Sequence, residues 1–286
     1  MLTLNVRQPR MELRPYVRTF AQRKIGHSSS LIVEPTTAQL EQILMFDFGT
    51  PTEMRWPDGR VLLGDRTAVG GAQTHFACHM HLRSGIEAFG IFFWPTGFMH
   101  LFGIPASELT NRRSDAEGII GPSIRTLRNR LGETVSFEER VLISEEFLMY
   151  HAARARVGSV IVAVAEYVFR QHGAVKVADL ARDCSIGLRQ FEREFRQQTG
   201  ASPKTFARIA RFQAALDAKV AAPQRTWLDI AHSFGYYDQM HMIHDFEILG
   251  HSCPTQLISE IGDMRPTAMA LDGDDLATAT HLLGGS

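Results

Sequence analysis

Three arginines, Arg189, Arg193 and Arg196, stand with Gln190 and Glu192 in a short stretch whose other positions include Leu188, Phe191 and Phe195. The apolar spacing predicts a helix with Leu188, Phe191 and Phe195 turned inward as one stripe, leaving the polar side chains on the outer faces. An arginine fork matches O6 and N7 of guanine, so Arg189 and Arg193 suit the reading of base edges, and Arg196, one turn on, suits a phosphate. Lys204 follows at the start of another helical stretch, where a cation and free backbone amides can hold a phosphate together. The competing reading is a solvated helix face with Glu192 and Arg196 paired at i, i+4. A second polar set, Gln239, Met240, His241 and His244, has a related chemistry: Gln reads adenine, Met touches a thymine methyl and an imidazole forms modest hydrogen bonds. Asp238 and Asp245 in the same stretch repel phosphates unless they cap or pair.

A different chemistry is open at His75, Cys78, His79 and His81. On a strand His75, His79 and His81 share one parity, and imidazoles converging in a barrel mouth bind Zn or Fe. A metal-binding β-domain, or an enzyme built on it, is therefore the alternative to nucleic-acid binding. Against it, no carboxylate partner stands at close spacing, and alternating polar residues are what a solvent-facing strand needs anyway. Trp56, Trp94, Phe92 and Phe93 can line an apolar pocket or fill a core. Arg211 can pair internally with an acidic neighbour. Cys184 and Cys253 read as buried thiols, since no CxxC pair exists. The sequence carries no phosphate loop, Ser-His-Asp signature or paired-carboxylate motif, so neither an enzyme nor a cofactor is expected.

Composition narrows the classes. The chain has 286 residues, 44% hydrophobic and 21% charged, with three cysteines. That fits about two globular domains and excludes a disordered regulator or a disulfide scaffold. The opening MLTLNVRQPRMELRPYV lacks a continuous apolar stretch, and no window reaches the roughly 18 apolar residues of a membrane helix. Secretion and membrane spanning are not expected, and a reduced, cytoplasmic setting is. The net charge of -1 hides an asymmetry. Residues 170–211 hold nine Lys/Arg against four Asp/Glu, and residues 212–286 hold three against ten. One local basic surface suits an anionic partner.

The elements that must position these residues divide at about 152–157. From Ser29 to Phe93, short runs rich in Val, Ile, Leu and Phe are broken by Gly, Pro and Asp, which predicts strands, with a turn at residues 57–59 and a half-buried strand over Thr74–Leu82. After Pro95 the spacing becomes helical, with Pro122 opening one helix and Ser136 with Glu139 forming a capping box before another. Everything after residue 157 reads as helix, including the β-branched run VIVAVAEYVF, until the stretch 263–286, which has little to bury and is expected to be mobile.

The C-terminal part is duplicated. VADLARDCSIGLRQFEREFRQQTGASP and WLDIAHSFGYYDQMHMIHDFEILGHSCP align with an offset of 51 at Phe195/Phe246 and at Pro203/Pro254, but 50 at Ala181/Ala231. One extra residue therefore falls in the second copy, in the turn containing Gly235. Each copy reads as a helix-turn-helix, and TFARIARFQAALDAKV reads as a long helix joining them after the cap-and-proline pair Ser202 and Pro203. A helix of that length spans roughly 25 Å, so one chain can address two adjacent turns of a duplex.

LARDC, FEREF and TGASP, the linking helix, and IAHSFGYYDQMHMIHDF together resemble the DNA-binding domain of the AraC/XylS family, over about residues 157–260. LRPYV and FFWPTGFMHLFGIPASEL resemble the N-terminal region of some such regulators. The resemblance implies a bacterial, cytoplasmic transcription regulator with an α+β organisation. Residues 1–152 would form a β-rich domain with terminal helices for effector binding or dimerisation, and residues 157–260 two helix-turn-helix units on double-stranded DNA. The implied partners are an unidentified small-molecule effector, RNA polymerase and a second copy of the chain. The sequence departs from the family pattern at Gly187, which replaces a capping Ser, and at Ser185, which replaces a turn Gly. Met240, His241 and Met242 stand for Ser-His-Phe, His244 for an Arg and His251 for a Gly. These changes remove cationic and hydroxyl contacts from the second reading helix.

Overall fold

The computed structural model describes residues 2–26, 31–155 and 159–261. The expected mobile stretch 263–286 lies outside them.

Ten strands form two antiparallel sheets among the described residues. They are β1 (Leu2–Arg7), β2 (Val17–Ile25), β3 (Ile32–Pro35), β4 (Gln42–Asp47), β5 (Glu53–Arg55), β6 (Val61–Leu63), β7 (Thr67–Gly70), β8 (His79–Leu82), β9 (Glu87–Phe93) and β10 (Arg113–Asp115). One sheet runs β1-β2-β9-β4-β7-β10 and the other β3-β8-β5-β6. Period-two alternation separates the faces of the larger sheet. Leu44 and Phe46 of β4, with Phe89, Ile91 and Phe93 of β9, are buried in one core. The opposite parity, Ile43, Met45, Ala88, Gly90 and Phe92, faces a cavity between the sheets.

Helices α1 (Gly97–Phe102), α2 (Ala106–Leu109), α3 (Ala116–Ile120), α4 (Ser123–Gly132) and α5 (Phe137–Ala152) cover that core face. Ser136 caps α5 by accepting from the Glu139 amide, as the capping spacing predicts, although Glu139 takes the Thr134 hydroxyl instead of reaching back. Arg140 of α5 is buried against the sheet. Its guanidinium donates to the Gln22 side chain at 2.8 Å, to Glu87 at 2.6 Å and to the Leu131 and Thr134 carbonyls, and it sits 4.2 Å from the Phe48 ring centre.

The helical part comprises α6 (Val160–Arg170), α7 (Val177–Asp183), α8 (Leu188–Thr199), α9 (Pro203–Ala221), α10 (Trp227–Ser233), α11 (Gln239–Gly250) and α12 (Pro254–Ile261). The run VIVAVAEYVF is helical, with Ile161, Ala165 and Val168 on its buried stripe. No helix among the described residues is long and apolar enough to cross a membrane.

One expectation about the strands is corrected. The strand over Thr74–Leu82 is only β8. Upstream of it the backbone is tied into other partners: the Thr74 amide donates to Asn111 Oδ1 at 2.7 Å, and Ala77 and Cys78 bond Thr36. Apolar contacts also cross the seam between the two parts. Ala38 and Leu40, between β3 and β4, are buried inside the core of the helical part.

Candidate nucleic-acid interface and effector cavity

In the first helix-turn-helix unit, Leu180 and Ala181 of α7 pack with Phe191 and Phe195 of α8, and the Phe195 ring meets Phe206 of α9 edge-on at 5.2 Å. The second unit repeats this with Ile230, Ala231, Met242 and Phe246, whose ring meets Phe212 of α9 at 4.8 Å. One helix thus supplies an aromatic anchor to each unit. Ser202 caps α9 by accepting from the Thr205 amide, with Pro203 in its first turn. At 19 residues and about 1.5 Å per residue, α9 is roughly 28 Å long.

The turns fix the extra residue of the second copy. Ser185 (φ +56°) and Gly235 (φ +68°) occupy the same left-handed position at an offset of 50, whereas the N-caps Gly187 and Asp238 differ by 51. The insertion therefore lies just after Gly235, where Tyr237 is 90% exposed. Past the N-caps the offset stays at 51, so Arg193 corresponds to His244.

On α8 the outer face carries Arg189, Gln190, Glu192, Arg193 and Arg196, all exposed. Glu192 and Arg196 do not pair. Instead Gln190 donates to Glu194 at 2.9 Å, and Arg193 lies 4.0 Å from the same carboxylate. Leu188 departs from expectation: at the first helical position, before the stripe engages the core, it is 49% exposed beside Arg189. Lys204 is exposed in the first turn of α9.

On α11, Gln239, Met240, His241 and His244 are exposed, Met240 at 69%. The two acidic residues are engaged within the fold, although Asp238 stays exposed at the start of α11. Asp238 caps the helix by accepting from the His241 amide at 2.7 Å, and Asp245 is buried against Arg208 of α9 at 2.6 Å. Arg211 is internal, but its partner is not an acid: it donates to the Gly173 carbonyl at 3.1 Å and lies 5.4 Å from the Tyr236 ring centre.

The three histidines do not converge. His75 is exposed outside the strand, His79 packs 5.0 Å from the Phe76 ring centre, and no group of three potential metal ligands exists among the described residues. Burial depresses the His81 imidazole, favouring its neutral form. Of the thiols only Cys78 is buried. Cys184, the C-cap of α7, is half-buried, and Cys253, in the turn between α11 and α12, is exposed.

Between the sheets lies a cavity of about 300 Å³. Its apolar wall includes Ile43, Met45, Met54, Met80 and Phe92, with Trp56 at the rim. Of the four aromatic residues with two possible roles, Phe92 and Trp56 line this space, Phe93 fills the core, and Trp94 meets Phe169 of α6 at 5.6 Å. Gln213 of α9 and Ile261 of α12 close one side, so the helical part completes the cavity.

Sequence spacing gave no sign of the polar seam there. Arg18 pairs with Glu41, which also accepts from Gln213 Nε2 at 2.8 Å, and Gln213 Oε1 accepts from the Leu40 amide at 3.1 Å. The β-domain also holds the C-terminal ends of α8 and α11. Thr110 donates to the carbonyl of Gly200, the C-cap of α8, at 2.7 Å. Ala38 donates to the Leu249 carbonyl near the end of α11 at 2.8 Å, and Phe76 stacks on His251, the C-cap of α11, at 4.5 Å. Gly200 and His251 are equivalent positions of the repeat, and both have positive φ.

Residues 180–259 match a helix-turn-helix domain, and residues 5–115 match a domain of unknown function (DUF6597). No curated protein matches the sequence. Similar solved structures include ToxT from Vibrio cholerae O395, at 9% identity and a TM-score of 0.48, covering 92% of this chain and 98% of that one. ToxT from the same strain bound to (E)-4-(8-methylnaphthalen-1-yl)but-3-enoic acid has 7% identity and a TM-score of 0.49, with 91% and 99% covered. ToxT from strain SCE256 bound to an unsaturated fatty acid has 8% identity and a TM-score of 0.43, with 90% and 95% covered. Likeness of that degree transfers no residue role. The helix-turn-helix match falls on the two repeated units and the helix that connects them, the part of the chain whose sequence resembles the DNA-binding domain of the AraC/XylS family.

Proposed function

We propose that α8 and α11 enter adjacent major-groove turns of one DNA duplex, and that a small-molecule effector in the β-domain cavity sets how well they do so. Arg189 and Arg193 read base edges, Gln190 and Glu192 flank them, and Arg196 and Lys204 hold phosphates. Gln239, Met240, His241 and His244 form a weaker, largely uncharged second contact. The observation that carries this reading is the outer face of α8, where Arg189 and Arg196 are exposed with no acidic partner among the described residues. An arginine fork without an internal partner retains all its donors for a base or phosphate.

Regulation follows from the walls the two functions share. Thr36, Thr37, Gln39 and Gln213 line the cavity, and the same segment continues into Ala38 and Leu40, which are embedded in the helical core. A ligand pressing on these residues changes how the β-domain grips Gly200 and His251, and with it the relative setting of the two reading helices. On this reading residues 1–152 are the effector unit and 157–260 the DNA unit, acting in the cytoplasm with RNA polymerase as the downstream partner and a second copy at paired sites. Footprinting the full chain on sites selected from a random duplex pool tests it. Protection over two successive major-groove faces is expected, and protection over one face alone refutes the contribution of α11.

A further inference from the structure

Counted from their N-caps, Gly187 and Asp238, α8 and α11 carry different chemistry at equivalent places. Arg189 corresponds to Met240, Arg193 to His244, and Arg196 to Glu247, which is exposed. The whole of α11, QMHMIHDFEILG, holds no Lys or Arg. Lys204 corresponds to Thr255, whose hydroxyl already accepts from the Trp227 indole N–H at 3.1 Å. The second unit thus lacks a permanent cation wherever the first has one on this surface. With Glu247 in the place of Arg196, it gains little from a phosphate backbone.

What α11 offers instead is apolar. Met240 is 69% exposed, and Tyr237, at the one-residue insertion ahead of the N-cap, is 90% exposed. The polar residues around them are engaged by the turn. Asp238 accepts from the His241 amide at 2.7 Å, and the His241 ring lies edge-on to Tyr236 at 5.5 Å, with its Nδ1 3.5 Å from the Tyr237 amide. The N-terminal end of a helix in a major groove is the part that meets base edges. On those edges the apolar feature is the C5 methyl of thymine, and a cytosine methylated at C5 presents the same group.

We propose that Tyr237 and Met240 form a methyl-reading surface, which recognises the second half of the DNA site by pyrimidine C5 methyl groups where Arg189 and Arg193 recognise the first half by guanine edges. A flexible, polarisable thioether moulds itself to a methyl, and a tyrosine ring adds flat apolar area at low entropic cost. This inference rests on α11 lying in a major groove. Burying one methyl is worth about fourfold in affinity.

The test measures binding of the full chain to a duplex selected from a random pool, and to copies in which each thymine of the α11 half is replaced in turn by deoxyuridine. That change removes only the methyl. One or two positions are expected to lose about fourfold, by the same factor at every salt concentration because no counterion is involved. Cytosine in place of such a thymine should bind about fourfold more weakly than 5-methylcytosine there, which separates the methyl from the rest of the base. Met240→Ala and Tyr237→Ala should each weaken binding to the thymine duplex and erase the uracil penalty at one position, and Tyr237→Phe should restore it. A selected α11 half without thymine, or uracil tolerated at every position while the footprint covers both groove faces, overturns methyl reading and leaves α11 in the groove. A footprint confined to the α8 face overturns methyl reading and the two-groove reading together.

Discussion

Gln213, midway along α9, donates to Glu41 of the β-domain at 2.8 Å while its carbonyl oxygen accepts from the Leu40 amide at 3.1 Å. One side chain of the helix that joins the two helix-turn-helix units is thus hydrogen-bonded into the cavity wall, and Arg18 completes the group on the far side of Glu41. Gln213→Ala leaves a buried amide and a buried carboxylate oxygen short of partners. It should cost about 1–3 kcal/mol in chemical denaturation. DNA affinity should also stop responding to any ligand that occupies the cavity. A variant that keeps wild-type stability would show that the seam is not closed in solution.

The turn of the first unit stores backbone strain. Ser185 holds φ +56° where the second unit uses Gly235, and a left-handed L-residue costs about 1–2 kcal/mol. Ser185→Gly should raise stability by roughly 0.5–1 kcal/mol after the unfolded chain's added freedom is subtracted. His251→Gly relieves similar strain but removes the ring stacked on Phe76, so its gain should be smaller or absent. Thermal melts of the two variants side by side read the difference.

Asp47 makes stability depend on pH in a defined direction. Its carboxyl sits at about 6 in the folded chain against 3.8 for an ordinary aspartate, so the folded state holds the proton more tightly. The associated stability is full below about pH 4 and is lost as pH rises through 6. Asp47→Asn should remove that slope, gaining of order 2 kcal/mol relative to wild type between pH 4 and pH 7.5. Urea titrations at those two values suffice. An unchanged slope would mean that Asp47 is solvated.

Much of this architecture is legible in the sequence because it is local or repeated. The apolar spacing of α8 and α11, the cap-and-proline start of α9 and the offset of 51 are all visible along the chain, and the exposed arginines of α8 follow from them. What escapes are pairings between distant segments. Nothing adjacent to Ala38 and Leu40 signals that they belong to a core some 170 residues away, and Asp47 meets Arg113 only through the order of β4, β7 and β10. Leu188 misleads because a helical stripe predicts burial for its whole length, whereas the first turn of α8 projects beyond its core. The histidine strand misleads for a related reason: alternation continues through Thr74–Cys78, but Asn111 and Thr36 capture that backbone first.

His244 occupies the position on α11 that Arg193 holds on α8. Replacing it with Arg supplies a permanent cation beside exposed Met240 and His241 without burying charge. His244→Arg should tighten DNA binding at pH 8 and steepen the salt dependence by about one unit in the log–log slope. Equal affinity and slope for the two proteins would show that this part of α11 stands away from the phosphates.

The central claim is that α8 reads bases while the start of α9 holds the backbone. Its most direct measurement is the affinity of wild type, Arg189→Ala and Lys204→Ala across a selected duplex and its single-base variants, at several salt concentrations. Arg189→Ala should lose about 1–3 kcal/mol and relax the preference at one base pair only. Lys204→Ala should weaken every sequence alike and reduce the salt slope by about one. Equal, sequence-independent losses for both variants would contradict base reading by Arg189, and no binding of the wild-type chain to any duplex at low salt would contradict the account as a whole.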